Sequence, residues 1–293
     1  MDKEKILLAG KITSQVKEWI RPQIKFGIPL LELAEKIESK IIELGGKPAF
    51  PATFCINEIA AHYTPSHDDE TTAHGLLKVD FGVHIDGWTA DNAFSIDLEN
   101  SEENKKLILA SEEALKKVLE IVKPGISTDE IGETVQETIS KFGFNPVVNL
   151  SGHSMDQNEL HAGITIPNIN DNRNQKLSPG LYAIEPFATN GNGKIKDGNP
   201  SGIYELIDGR NPRSPLAREV LDFISEKYSS LPFCSRWLVK NLGSRSLLAL
   251  KELESNGNLH QFAQLVEVSK GKVSQAENTI LIDEKGKVIV TTV

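Results

Sequence analysis

Cysteine is nearly absent from this chain: Cys55 and Cys234 are the only two among 293 residues. Two cysteines cannot build a disulfide framework, so the expected setting is a reducing, cytoplasmic one. Also missing is any apolar run of signal-peptide or membrane-span form, and the first residues, MDKEKILLAGKITSQ, are charged. No low-complexity stretch occurs. Basic residues are the minority sign, 32 Lys and Arg against 41 Asp and Glu, for a net charge of −9. That argues against a broad nucleic-acid-binding face, while leaving room for a local basic patch. What remains is a soluble globular chain, long enough for one large domain or two ordinary ones, with ample core.

Two carboxylates sit where burial is expected. VDFGVHIDGWTAD (79–91) reads as two apolar strands around Asp86-Gly87, a strong type I′ turn signal because both turn residues must accept positive φ. With that turn, residues whose numbers sum to 173 face each other. Asp80 then opposes Ala93, and Asp91 lies diagonally across from Asp80. Period-two alternation points both carboxylates to one face of the sheet. Like charges on a half-buried face repel unless a proton or a cation sits between them. Either the face is solvated, or it is a hard-cation site for which the rest of the chain supplies ligands.

Helical periodicity runs from about 2 to 21 and 29 to 44, with Gly45-Gly46 as a stop. Ser101 begins a helix to about Val122, and Ser127-x-x-Glu130 is a capping box that opens another to about Phe142. These units repeat. Lys25–Pro48 and Lys123–Pro146 align without a gap at an offset of 98, with eight of 24 positions identical. The run predicts a duplicated helix–helix–strand unit, and a pseudo-twofold domain with a site between its halves would make His62 and His161 near-symmetric partners. The offset also carries His62 to a position beside His161. The stretch FATNGNGKIKDGNPSGIYELIDGRNPRSP predicts loop and short strand, about 214–264 predicts helices, and strand character returns at about 264–292. The simplest organisation is one mixed domain, 1–293, with a helical insertion at about 200–264.

Three further ligand candidates stand on or beside apolar strands: His153 in NLSGHSMDQ, Glu185 in LYAIEPF and Glu277 in VSQAENTILI. Singly, each is as readily a solvated or hydrogen-bonded side chain. Together with Asp80 and Asp91 they make four carboxylates and one imidazole. Two divalent cations carry the four positive charges that would balance them. Such a set suits Mn, Fe, Co or Zn, and a metal pair holds a water, lowers its pKa and delivers hydroxide to a carbonyl.

FPATFCINEIAAHYTP, VDFGVHIDGWTAD, SGHSMDQNELHAGITIPN, YAIEPFAT, LPFCSRWL and QAENTILI, in this order and spacing, resemble the type II, archaeal-like methionine aminopeptidases. The resemblance spans nearly the whole chain. It implies an α+β, pseudo-twofold "pita-bread" fold of the creatinase/aminopeptidase kind with a helical insertion subdomain. The implied reaction is removal of N-terminal methionine from nascent proteins and peptides, with a small second residue preferred. By the same resemblance Asp80 would chelate one metal, Asp91 and Glu277 would bridge two, and His153 and Glu185 would complete the other shell. Glu185 would also move the proton of the bridging water. His62 and His161 match non-ligand catalytic histidines that donate hydrogen bonds near the developing oxyanion, and Phe50 and Leu160 match walls of the methionine pocket.

The implied cofactors are two divalent metal ions, and the implied partners are nascent polypeptide N-termini, with ribosome docking left open. No nucleic-acid site, no membrane and a monomer are expected. Among the remaining histidines, His67 and His74 lie in the polar loop HDDETTAHG, and His260 ends the insertion. His84 shares the face of Asp80 and is the reserve ligand. The last motif departs from the family's usual aromatic-Glu-His-Thr, reading Ala276-Glu277-Asn278-Thr279. Its changed neighbours should face away from the metals by strand alternation. Two alternatives stand: X-Pro cleavage of the prolidase or aminopeptidase P kind, and a non-catalytic relative that binds RNA or ribosomes. The insertion and AAHYTP argue against the first, the five intact ligand positions against the second.

Overall fold

The computed structural model describes residues 1–293. Helix α1 (Lys3–Ile20) runs through a 3-10 turn into α2 (Leu30–Glu43), followed by β1 (Lys47–Pro48), β2 (Thr53–Ile56), β3 (Ile59–Ala61) and the long hairpin β4 (Leu76–Ile85) and β5 (Trp88–Asp97). The plan then starts again with α3 (Glu102–Ile121), α4 (Thr128–Lys141), β6 (Asn145–Pro146), β7 (Ser151–Met155), β8 (Thr165–Pro167), β9 (Gly180–Ile184) and β10 (Phe187–Thr189). β11 (Ile195–Leu206), α5 (Pro215–Tyr228), β12 (Phe233–Cys234), α6 (Ser235–Leu242), α7 (Ser246–Ser255) and β13 (Leu259–Glu267) form the next block. The chain closes with β14 (Val273–Gln275), β15 (Asn278–Ile282) and β16 (Val288–Val290).

The repeat is structural. α2 and α4 start and stop 98 residues apart, Leu30 to Thr128 and Glu43 to Lys141, as do β1 and β6. Each repeat has its own core under its helix pair. One joins Ile12, Val16, Leu33 and Ile37 to Val79 and Phe81, and the other joins Leu107, Ala114, Ile131 and Val135 to Ile184 and Ile280. Gly27 and Gly125 precede the second helices with φ of 84° and 80°, and their amides donate to Ala73 and Leu177 carbonyls at 2.8 and 2.7 Å. A methyl at either glycine would meet open space. Substitution by alanine should therefore cost only backbone strain, about 1–2 kcal/mol each. Urea unfolding of Gly27→Ala and Gly125→Ala checks this. A variant as stable as wild type would mean that positive φ is not what glycine supplies there.

The block from β11 to β13 differs from expectation in detail. β11 is a 12-residue strand where the Gly, Asn and Pro content predicts loop, and its ladder with β13 shifts register between Asp197 and Pro200 and between Pro200 and Tyr204. Bulges absorb residues that a regular strand would exclude. The helical stretch also stops earlier, because β13 begins at Leu259 rather than near 264. The LPFCSRWL segment pins this block. Arg236, 3% exposed, donates from Nη1 and Nη2 to Glu38 Oε2 and Oε1 at 2.6 and 2.8 Å, and from Nε to the Pro65 carbonyl at 3.0 Å. Trp237 Nε1 adds a bond to Glu38 Oε2 at 2.8 Å. This buried fork ties α6 to α2 and to the segment just after His62. No helix is long and apolar enough to cross a membrane.

Candidate metal centre

The hairpin has the register that its turn dictates. Asp86 and Gly87 have φ of 49° and 86°, Asp80 faces Ala93, and Asp91 faces Gly82. Gly82 is required by a close approach: a Cβ there would stand 2.5 Å from Phe50 Cε1. The other half arrives on two strands. His153 on β7 pairs with Ala183 on β9, and Ile184 pairs with Asn278 on β15. Glu185 and Glu277 therefore follow and precede paired residues at the point where both strands end, so that they face each other beyond the ladder. The Glu277 amide donates to the Ala93 carbonyl at 3.0 Å, which joins the halves.

Asp80, Asp91, His153, Glu185 and Glu277 all line one cavity of about 350 Å³, together with His62, His161, Phe50 and Leu160. Ligand atoms of Asp91, His153 and Glu277 lie within 4.8 Å of one another. His153 Nε2 is 3.8 Å from Asp91 Oδ2 and 3.6 Å from Glu185 Oε1. Gln275 Nε2 reaches loosely to Asp80 Oδ2 and Glu185 Oε2, at 3.5 and 3.4 Å. The Asp91 backbone is held by Thr279, whose Oγ1 accepts from its amide at 2.7 Å and donates to its carbonyl at 2.9 Å.

Burial pushes the Asp80 carboxyl up to about 7. Burial, then the neighbouring carboxylates, raises Asp91, Glu185 and Glu277 well above the usual range. Burial also drives His153 down to about 3, so its imidazole is neutral, the form that binds metal. Asp80 Oδ1, Asp91 Oδ1 and Glu277 Oε1 are buried without a hydrogen-bond partner. Orphaned carboxylate oxygens at this density are costly unless a cation takes them. Four carboxylates and one neutral imidazole fit divalent metal.

His62 and His161 stand apart from the carboxylates. His161 is exposed at the cavity, its ring centroid 4.4 Å from that of His153. His62 Nδ1 is 3.1 Å from the Ala263 carbonyl, so that nitrogen carries the proton. Burial lowers His62 to about 4, and its neutral ring keeps Nε2 as an acceptor.

His84 is not part of the cavity. Its Nδ1 accepts from Gly87 N at 3.0 Å and closes the turn. His67 sits beside Asp68 and His74 beside the Thr72 carbonyl, both exposed, and His260 packs edge-on against Phe262. Ala276 packs into a core cluster, and Asn278 bonds to Asn92 and Thr292, away from the cluster as alternation requires. A second cavity of about 370 Å³, with Lys17, Arg21 and Phe94 in its wall, touches Ala276, Glu277 and Asn278. Reading the sequence missed Gln275, whose signal was its place two residues before Glu277 on the same face. Pro232 and Phe262, which line the cavity from the block between β11 and β13, carry no local signal.

Residues 4–284 match the family model for metallopeptidase family M24. A methionine aminopeptidase of Methanocaldococcus jannaschii is 47% identical over 291 residues, covering 98% of each chain. Among solved structures, a thermophilic Arx1 superposes with a TM-score of 0.83 at 16% identity, over 98% of this chain and 90% of that one. A methionine aminopeptidase from Thermotoga maritima gives 0.70 at 22%, over 99% and 95%. At those identities the structures speak for the pita-bread fold alone.

Proposed function

The chain belongs to metallopeptidase family M24, and from that premise we propose that it is a methionyl aminopeptidase that cuts N-terminal methionine from nascent proteins and peptides with a small second residue. The observation that carries this reading is the convergence of four carboxylates, Asp91 and Glu277 buried and Asp80 and Glu185 half-buried, with one neutral imidazole and two further histidines on one cavity. In this reading the centre takes two divalent ions. Asp80 would hold one, His153 and Glu185 would hold the other, and Asp91 and Glu277 would be shared between them. The bound ions would supply Lewis acidity and a nucleophile at neutral pH.

The chain's own groups do the rest. Phe50 and Leu160 wall the space for a flexible thioether. His161 donates to the substrate carbonyl as negative charge develops there. His62, proton-bearing at Nδ1, receives a hydrogen bond from the substrate or leaving amine at Nε2. Glu185 moves a proton from the attacking water to the departing nitrogen. The segment at about 200–264 acts as an insertion in a single catalytic domain, closing the cavity with Pro232 and Phe262. The setting is the cytoplasm, and the chain acts as a monomer on emerging N-termini.

Specificity tests the reading. Such a pocket discriminates at about 1–3 kcal/mol per methylene, or roughly 10–200-fold. With Mn or Co added, Met-Ala and Met-Gly peptides should turn over at least about 10-fold faster than Leu-Ala peptides, and faster than Met-Lys peptides. Faster turnover of X-Pro peptides would transfer the reading to the prolidase alternative. No turnover of any peptide would favour the non-catalytic one.

A further inference from the structure

β4 carries a second ionisable side chain on the face of Asp80. Lys78 is 1% exposed and two residues earlier, roughly 7 Å away along the strand. Its ammonium donates to the Asn57 carbonyl at 2.9 Å and to the Val273 carbonyl at 2.8 Å. A buried ammonium is costly to desolvate, and its partners here are carbonyls rather than a carboxylate. A methionine would fill the same space without that cost, so packing alone does not account for a lysine.

The carbonyls belong to two segments that build the site. Asn57 begins the β2–β3 turn with φ of 50°, and β3 leads directly to His62. Val273 opens β14, which ends at Gln275, two residues before Glu277. β14 shares a ladder with β10 but with neither β4 nor β5. Side chains replace the missing ladder. Ser95 faces Lys78 across the hairpin, and its Oγ donates to the Gln275 carbonyl at 2.8 Å and accepts from the Gln275 amide at 2.9 Å. Lys78 holds the start of β14, and Ser95 holds its end.

We propose that Lys78, with Ser95, is a positioning residue for the metal centre: the pair clamps β14 and the β2–β3 turn to the hairpin, and so sets Gln275 and Glu277 against Asp80 and Asp91. Lys78 touches neither substrate nor metal. Its role rests on the metallopeptidase reading, because the geometry it sets matters only if the carboxylates bind cations.

The test is calorimetric titration of Mn(II) into metal-free wild type, Lys78→Met and Ser95→Ala, with urea unfolding of the same metal-free proteins. Lys78→Met should bind Mn(II) about 10–100-fold more weakly, as loss of a ligand-orienting partner does. The metal-free variant should be no less stable than wild type, because methionine buries no ammonium. Ser95→Ala should weaken Mn(II) in the same direction, and it decides the matter if Lys78→Met fails to fold. In Lys78→Ala, propylammonium should restore part of the lost affinity, which a purely structural defect would not allow. Wild-type Mn(II) affinity in folded Lys78→Met overturns the clamp while leaving the metallopeptidase reading intact. A wild type that binds none of Mn(II), Fe(II), Co(II) and Zn(II) overturns both.

Discussion

An Asp91→Asn protein is expected to lose both of the proposed metal ions and, with them, nearly all cleavage of Met-Ala peptides. Asp91 is proposed to serve two cations at once, it is 4% exposed, and its Oδ1 has no hydrogen-bond partner in the protein. The amide keeps the shape of the side chain but is a poor bridge between two dications. The fall in activity should exceed about 100-fold, the upper end of what is lost when only an outer partner of a ligand is removed. His153→Ala should differ in kind, weakening one ion while the other stays measurable.

Stability supplies an independent check. Burial and its neighbours hold the Asp91 carboxyl well above the usual range, so without metal the folded state binds a proton that the unfolded state releases. The sign follows from linkage. With more protons on the folded state, stability of the metal-free protein falls as pH rises above the unfolded value, about 4. Removing that carboxyl should therefore raise the urea midpoint of the metal-free protein at pH 7 while metal binding collapses. Titration calorimetry beside urea curves reads both. An Asp91→Asn protein that binds metal and turns over peptide like wild type would sink the bridging role.

Replacing His161 with alanine should lower kcat by about 10²–10³-fold and leave metal content near wild type. Of the two neighbouring rings, His153 is the one with a nitrogen near the carboxylates, at 3.8 Å from Asp91 and 3.6 Å from Glu185. His161 stacks edge-on against His153 and stands exposed at the cavity, placed to meet a substrate rather than to hold an ion. Its loss removes a donor to developing negative charge, which costs kcat more than KM. Steady-state kinetics with metal analysis of the same sample separates the roles. A variant that loses its metal would make His161 a ligand.

Some of this was legible in the chain itself. Asp86-Gly87 determined ten residue pairs of the β4–β5 hairpin, because a two-residue turn needing positive φ leaves one register, and that register put Asp80 and Asp91 on one face. The 98-residue repeat was legible for a similar reason: positive-φ glycines, a capping box and helical periodicity are chemistry within a few neighbouring residues. The strand β11 was not, since its Gly and Pro content reads as loop until bulges against β13 reconcile it with a ladder.

What tertiary structure alone decided are the pairings between distant segments. The proton of His62 is placed by Ala263, 201 residues away; Glu38 meets Arg236 across 198; Lys78 meets Val273 across 195. Turn geometry and side-chain alternation fix where a group points on its own element. Which carbonyl or carboxylate it then meets depends on how separately folded layers pack, and that is settled by the shape of both cores at once.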